Sequence, residues 1–218
     1  MAFSGISFVA LDFYEDLAAD NSKTFWTAHK HVYDEQVKAP LVELAAELEK
    51  EFGPAKLFRP YRDVRFAKDK TPYKDHQGVY FAETRRYLQI SAAGMYASGG
   101  IYEMASDQVD RFRRAIADDL PGEVLVQAIA GAEKAKLRIF GDRLTRVPSG
   151  YPKDHPRAEL LKYKSLYATR EFGCPEWLQT PRAKVELVKA WRSMRPLIDW
   201  LDKHVGPSDL PVARQGQA

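Results

Sequence analysis

The spacing of apolar residues changes twice along this chain, and that change constrains its fold more than any other feature. In the first fifty residues, apolar side chains recur at steps of three and four, which is the helical period. From Leu57 to Tyr102 they recur at steps of two, as in half-buried strands. The helical period then returns at Val109. This order predicts an α+β fold in which helices flank a mainly antiparallel sheet.

The pattern also places individual elements. Ser7 and Ser22 are expected to cap the first two helices, and Pro40 to kink or divide the third. Strands are predicted around Val64 and Phe66, with both side chains facing the core, and glycine turns at Gly94 and Gly99-Gly100. The remaining predicted elements are strands at Val79–Ala82, Leu88–Ala92 and Leu166–Phe172, a helix from Val109 interrupted at Pro121-Gly122, and a helix at Arg182–Val205 with a kink at Pro196.

Length and composition indicate one domain in a reducing compartment. No change of composition divides the 218 residues, so residues 3–205 are predicted to form a single domain and residues 206–218 a disordered tail. The single cysteine and the lack of a leader pattern favour the cytoplasm. The longest uncharged stretch, Tyr87–Tyr102, is too short for a membrane span, so no membrane contact is expected. The oligomeric state is left open.

Several familiar catalytic motifs are missing from the sequence. It has no Walker loop, no dinucleotide-binding glycine triplet, no nucleophile-elbow serine and no paired-cysteine zinc site. The sequence therefore predicts no metal site and identifies no cofactor. Whether the protein is an enzyme also stays open.

The densest chemical signal lies between Lys56 and Asp75, where seven basic and three acidic residues give a net charge of +4. Arginine forks suit carboxylate or phosphate, and neighbouring aspartates can orient them. The segment therefore predicts an anion site, although a structural ion-pair network is the competing interpretation. The predicted ligand-binding residues here are Arg62, Arg65, Lys68, Lys70, Tyr73 and Lys74, with Tyr73 as a hydrogen-bonding or stacking wall.

A second basic segment, from Asp142 to Lys164, has a net charge of +3. It contributes Arg146, Lys162 and Lys164 as further candidate ligands. His155 could be an acid or base, although a hydrogen bond to its own loop is the better interpretation beside Pro156. Two basic segments leave uncompensated charge where they meet, so we expect them to line one concave anion-binding surface.

These segments resemble a known family, the conserved hypothetical proteins of bacteria and fungi labelled domain of unknown function 2461. The resemblance covers about residues 3–205, and its most specific part is the string Arg62–Lys74. Further support comes from Phe13–Trp26, from Gly94-Met95-Tyr96, and from Arg146–Tyr151 with His155-Pro156. Relatives commonly carry asparagine and serine where this chain has Asp20 and Ala67. The family implies the fold and one domain, but no activity or catalytic residue.

Three functions remain open. The leading hypothesis is binding of a small phosphorylated or other anionic metabolite. In a catalytic version, Asp63 or Asp69 would hold a divalent metal or act as base, and His155 would be the acid. Binding of nucleic acid is less favoured, because the charge is nearly balanced overall. A structural or partner-binding protein without a ligand site is the third.

Overall fold

The computed structural model describes residues 2–65 and 68–210, and within them strands form one six-stranded sheet of order β1-β2-β3-β4-β6-β5. The strands are β1 (Ala55–Leu57), β2 (His76–Phe81), β3 (Arg86–Ser91), β4 (Gly94–Ile101), β5 (Arg138–Phe140) and β6 (Leu166–Gly173). The α-helices are α1 (Phe8–Ala19), α2 (Lys23–Val32), α3 (Ala39–Phe52), α4 (Ser106–Ala117), α5 (Asp119–Lys134), α6 (Ala158–Leu161), α7 (Arg182–Ser193) and α8 (Arg195–His204). Antiparallel pairing and the order of elements confirm the predicted α+β class.

Serine caps and a proline explain the boundaries of the first three helices. Ser7 and Ser22 cap α1 and α2 as predicted, each accepting a backbone N–H on its hydroxyl oxygen. The division expected near Pro40 is a π-helix, Tyr33–Lys38, which joins α2 to α3. Pro40 itself lies in the first turn of α3, directly after the π-helix, and has no N–H to donate to the preceding turn. In the same residues no helix combines the length and apolar character that crossing a membrane requires.

Two later helix predictions need correction. The break expected at Pro121-Gly122 falls earlier, at Asp118, because proline fits the first turn of α5. The long C-terminal helix divides at Met194, and Pro196 lies in the first turn of α8. Within α7 the apolar Val185 is exposed, and the buried side of the helix carries Leu187 and Trp191.

The strand predictions are correct for β2, β3 and β6, with Val79 opposite Leu88. The turns expected at Gly94 and Gly99-Gly100 are wrong, because these residues belong to β4. A side chain at Gly94 would lie 2.0 Å from the carbonyl oxygen of Gly173, so glycine here allows close strand approach rather than a turn.

The strand predicted around Val64 is also wrong, because residues 62–64 are irregular. Asp63 bonds the backbone N–H and the guanidinium of Arg65, a local arrangement that competes with pairing in a sheet. Phe66 and Ala67 lie outside the described residues, so the predicted core position of Phe66 stays a prediction.

The described residues group into two compact units. The first contains residues 2–65, 68–97 and 171–189, where α1 and α3 pack on β1 to β3 around a core that includes Leu88 and Ile90. The second contains residues 98–170 and 190–210, where α4, α5 and α8 pack together. Its core includes Phe112, whose ring meets Trp200 edge to face. Each unit therefore has apolar side chains of its own to bury.

The first four residues of the predicted tail, 206–209, lie against α4. Gln108 donates to the carbonyl oxygen of Gly206 at 2.7 Å. Asp107 accepts from the hydroxyl of Ser208 at 2.7 Å and from the backbone N–H of Asp209 at 2.9 Å. The hydrogen bond from Ser208 is the largest cause that lowers the pKa of Asp107 to about 2. Side-chain and backbone bonds thus hold residues 206–209 in place.

Candidate anion site

The predicted basic segment begins in β1 and continues in a loop of the first unit whose two ends are hydrogen-bonded to each other. The backbone N–H of Arg62 donates to Pro72, and that of Lys74 donates to Pro60, at 2.9 and 2.8 Å. Asn21, just after α1, accepts the N–H of Tyr73 on its amide oxygen and donates its amide nitrogen to the Tyr73 carbonyl. This two-way bond fixes the loop to the helices.

Aromatic packing also fixes the same loop. The ring of Tyr73 stacks on Trp26, with centroids 4.3 Å apart and planes 9° apart. Tyr73 is only 5% exposed, whereas the neighbouring Tyr61 is 47% exposed. Tyr73 therefore anchors the loop. Its ring is buried, so it is not exposed as the hydrogen-bonding or stacking wall that the sequence predicted.

Each of the two arginines of the loop forms an ion pair with an aspartate of the same loop. Arg65 meets Asp63 through two nitrogens, with the shortest contact at 2.6 Å. Arg62 bonds Asp69 and, at 2.5 Å, the hydroxyl of Thr71. The side-chain bond from Arg65 lowers the pKa of Asp63 to about 2, and the backbone bond from Thr71 contributes most to lowering the pKa of Asp69 to about 2. Both carboxyls are ionised and occupied at neutral pH, which makes them weak bases.

The lysines of the loop behave differently. Lys70 donates to the carbonyl oxygen of Val64 at 2.9 Å, which satisfies a donor without neutralising the charge. Lys68 is exposed and bonds no partner in the described part of the chain. The positive charge of these two lysines is therefore not neutralised by a described carboxylate. The two arginines instead form the structural ion pairs that the sequence analysis gave as the alternative to an anion site.

Lys74 belongs to a cluster around the ring of Phe58. Its ammonium group lies 5.4 Å from the centroid of that ring, and the ammonium group of Lys56 lies 5.8 Å from it. Neither group forms an ion pair with any carboxylate in residues 2–65 and 68–210. Burial, and then the charge of Arg59, lower the pKa of Lys74. We call Lys56, Phe58, Arg59 and Lys74 the Phe58 cluster.

Strand β2 has a glycine where it supports Phe58. The backbone N–H of Phe58 donates to Gly78 at 3.0 Å. A side chain at Gly78 would lie 2.6 Å from the hydroxyl of Tyr87 and 2.9 Å from the ring of Phe58. Only glycine leaves these two rings in their places, so Gly78 helps to position the cluster.

Gln77 connects the cluster to the helices. Its amide nitrogen donates to the carbonyl oxygens of Phe58 and Gly78, at 2.7 and 2.9 Å. Its amide oxygen accepts from the hydroxyl of Tyr33 at 2.7 Å. Burial raises the pKa of Tyr33 to about 12, so the hydroxyl keeps its proton and remains a donor. Sequence reasoning missed Gln77, although a polar residue at a core position of a strand was the available signal.

The second basic segment lies in the second unit and is partly neutralised there. Glu159 pairs with Lys162 at 2.5 Å and with Arg143 at 2.6 Å. Arg146 and Lys164 are exposed and form no ion pair with any other described residue. Because the two basic segments belong to different units, the shared concave surface stays a prediction.

His155 lines a cleft of about 490 Å³ in the second unit, together with Val126, Ile129 and Glu133 of α5. Its ring nitrogen Nδ1 accepts the backbone N–H of Arg157 at 3.0 Å. In a neutral imidazole this hydrogen bond places the proton on Nε2, which leaves Nε2 as the donor of the ring. Acting as an acid would require the imidazolium form, whose Nδ1 cannot accept from Arg157. The loop hydrogen bond favoured by the sequence is present.

The described residues contain no group of three or more histidine, cysteine, aspartate or glutamate side chains placed to hold a metal ion.

With this geometry established, comparisons with known proteins give the family. A family model described as conserved hypothetical protein (DUF2461) matches residues 9–200. The chain belongs to the DUF2461 family. Neither a search of curated proteins nor a search of solved structures found a match. The DUF2461 match spans both units and includes the whole Phe58 cluster, together with Asn21 and Gln77.

Proposed function

We propose that this DUF2461 protein binds a small phosphorylated or other anionic metabolite at the Phe58 cluster. The observation that carries the proposal is the pair of ammonium groups of Lys56 and Lys74 beside one ring, with no carboxylate paired to either within the described residues. Like charges held together destabilise a fold unless a counter-charge is present. A bound anion supplies that counter-charge.

The neighbouring loop gives the internal comparison. The guanidinium groups of Arg62 and Arg65 each form an ion pair with an aspartate. Within the described part of the chain, no acid pairs with Lys56 or Lys74. The two ammonium groups lie within about 11 Å of one another, and each is on a flexible four-carbon stem. The proposal requires both groups to converge on one phosphate.

The proposed setting is the cytoplasm. Cys174 is a free and exposed thiol, which suits a compartment where thiols stay reduced.

Titration calorimetry with inorganic pyrophosphate tests the proposal. Lys56→Gln and Lys74→Gln should each weaken binding by about 1.5–3 kcal/mol, the range for a hydrogen bond to a charged group. That loss is a factor of roughly 10 to 150 in the dissociation constant. Lys68→Gln is the matched control, because it removes the same charge from an exposed residue of the same segment. It should leave the affinity nearly unchanged.

Two results would contradict the proposal. The first is the absence of any pyrophosphate binding, and the second is an equal loss in all three variants, which would indicate a general charge effect. A single-stranded oligonucleotide serves as the comparison ligand. Tighter binding of the oligonucleotide, with a steep dependence on salt, would favour the nucleic-acid alternative.

A further inference from the structure

The two faces of strands β2 and β3 are packed differently. On one face, alternate side chains such as Val79 and Leu88 are buried in the core of the first unit. On the opposite face, the side chains of Tyr80, Tyr87 and Gln89 are only half-buried. A half-buried tyrosine leaves part of its ring available to a ligand. The first unit therefore has a sheet face that its own core does not fully cover.

This sheet face brings tyrosine rings next to the Phe58 cluster. Tyr80 pairs across the strands with Lys56 on one side and with Tyr87 on the other, so the three side chains form one row. The ring centroid of Tyr87 lies 6.3 Å from that of Phe58 and 6.4 Å from that of Tyr96. We call Tyr80, Tyr87 and Tyr96 the tyrosine face. Ammonium groups and tyrosine rings thus line one surface of the first unit.

Gln89 adds a hydrogen-bonding group to the tyrosine face. Its amide oxygen accepts from the hydroxyl of Tyr87 at 3.0 Å. Its amide nitrogen bonds no partner within residues 2–65 and 68–210. Both hydrogens of that nitrogen are therefore available to acceptors on a ligand. A planar ring with nitrogen or carbonyl acceptors at its edge, such as a nucleobase, matches a donor placed beside stacking rings.

We propose that the tyrosine face binds the base of a mononucleotide whose phosphate lies at the Phe58 cluster. This inference rests on the proposed function and narrows its anionic metabolite to a phosphate ester that carries a planar ring. The two parts of the ligand fit the two parts of the surface, because ammonium groups attract the phosphate and tyrosine rings stack with the base. Binding needs no covalent step.

Titration calorimetry with adenosine monophosphate and with ribose 5-phosphate tests the inference, because the two probes share the phosphate and the sugar but differ in the base. Wild-type protein should bind the nucleotide about 5- to 150-fold more tightly, the range for stacking a base on an aromatic side chain. Tyr80→Leu should reduce this preference by at least about fivefold and leave the affinity for ribose 5-phosphate unchanged. Tyr80→Phe is the matched control, because it keeps the ring and should keep the preference.

A second measurement needs no variant. In carbon–proton correlation spectra of the wild-type protein, the ring signals of Tyr80 and Tyr87 should shift during titration with adenosine monophosphate, because a stacked base changes the magnetic field at both rings. Ribose 5-phosphate should leave these signals nearly unchanged. Equal affinity for the two probes, equal shifts with both, or an unchanged preference in Tyr80→Leu would overturn the inference.

The outcomes separate the two proposals. If pyrophosphate binds and is weakened by Lys56→Gln and Lys74→Gln, but the nucleotide binds no better than ribose 5-phosphate, only the binding of the base is refuted. If these two variants weaken none of the three ligands, the anion site itself fails and the inference fails with it. Tighter binding of a single-stranded oligonucleotide than of the mononucleotide would also overturn the inference, in favour of nucleic acid.

Discussion

At the scale of single residues, the basic segment divides its charges between two tasks. Arg62 and Arg65 form ion pairs with aspartates a few positions away, and these ion pairs help to fix the loop. Lys56 and Lys74 meet an aromatic ring instead of an acid. A count of charges along the sequence cannot separate these tasks, because both kinds of residue contribute equally to the net charge.

Gly78 gives a residue-scale prediction about the cluster. Gly78→Ala places a methyl group against Tyr87 and Phe58, so it should destabilise the protein by about 1–3 kcal/mol, the range for overpacking. It should also weaken pyrophosphate binding, because Phe58 must move. Denaturant unfolding and calorimetry measure the two effects.

The control for this variant is Gly131→Ala in α5, where a methyl group meets nothing within 4 Å. There alanine should stabilise the protein by about 0.5–1 kcal/mol through its helix preference. If Gly78→Ala is as stable as wild type and binds as tightly, the rings are not held as described.

Asp69 gives a prediction about pH. Its folded-state pKa, lowered to about 2 chiefly by the backbone bond from Thr71, lies below the usual value near 4 for an unfolded aspartate. Its stabilising contribution is therefore complete above about pH 4 and is lost as pH falls through about 2. The amide signal of Thr71 in nuclear magnetic resonance spectra should titrate in this window. In Asp69→Asn that titration should be absent, and a wild-type midpoint near pH 4 would contradict the loop bonding.

At the scale of elements, the π-helix is linked to strand β2 through one hydrogen bond, from Tyr33 to Gln77. Tyr33→Phe would leave the buried amide oxygen of Gln77 without this partner, which should cost about 1–3 kcal/mol in denaturant unfolding. Tyr80→Phe in β2 is the control, because Tyr80 is half-buried on the other face of the strand. A similar, small cost for both variants would mean that the link contributes little.

Local patterns predicted some elements well and others badly. The paired strands β2 and β3 follow from their alternation, and two serine caps follow from residue type. Strand β4 was missed because its glycines, which the partner strand requires, look like turn residues. Strand β5 was also missed, because it is three residues long and too short for a period.

The candidate site was predicted in part for a similar reason. Lys74 was named from charge alone. Gln77 and Asn21 were not, because their partners lie far away in sequence: Tyr33 is 44 positions from Gln77, and Tyr73 is 52 positions from Asn21. Such contacts depend on the tertiary fold, which a local pattern does not contain.

At the scale of the whole molecule, residues 3–205 are predicted to unfold as one cooperative unit. Strands β4 and β6 and helix α7 each contribute residues to both compact units, so unfolding one unit disrupts elements of the other. Scanning calorimetry should show one transition whose calorimetric and van't Hoff enthalpies agree. Two separated transitions would mean that the units are independent domains.

The central claim is that an anion binds between Lys56 and Lys74 beside Phe58. The most direct measurement follows the ε-methylene signals of the lysines in carbon–proton correlation spectra during titration with pyrophosphate. The claim predicts that Lys56 and Lys74 shift together and saturate with one dissociation constant, while Lys68 shifts little. Equal, unsaturated shifts at all exposed lysines, or no shift at Lys56 and Lys74, would contradict it.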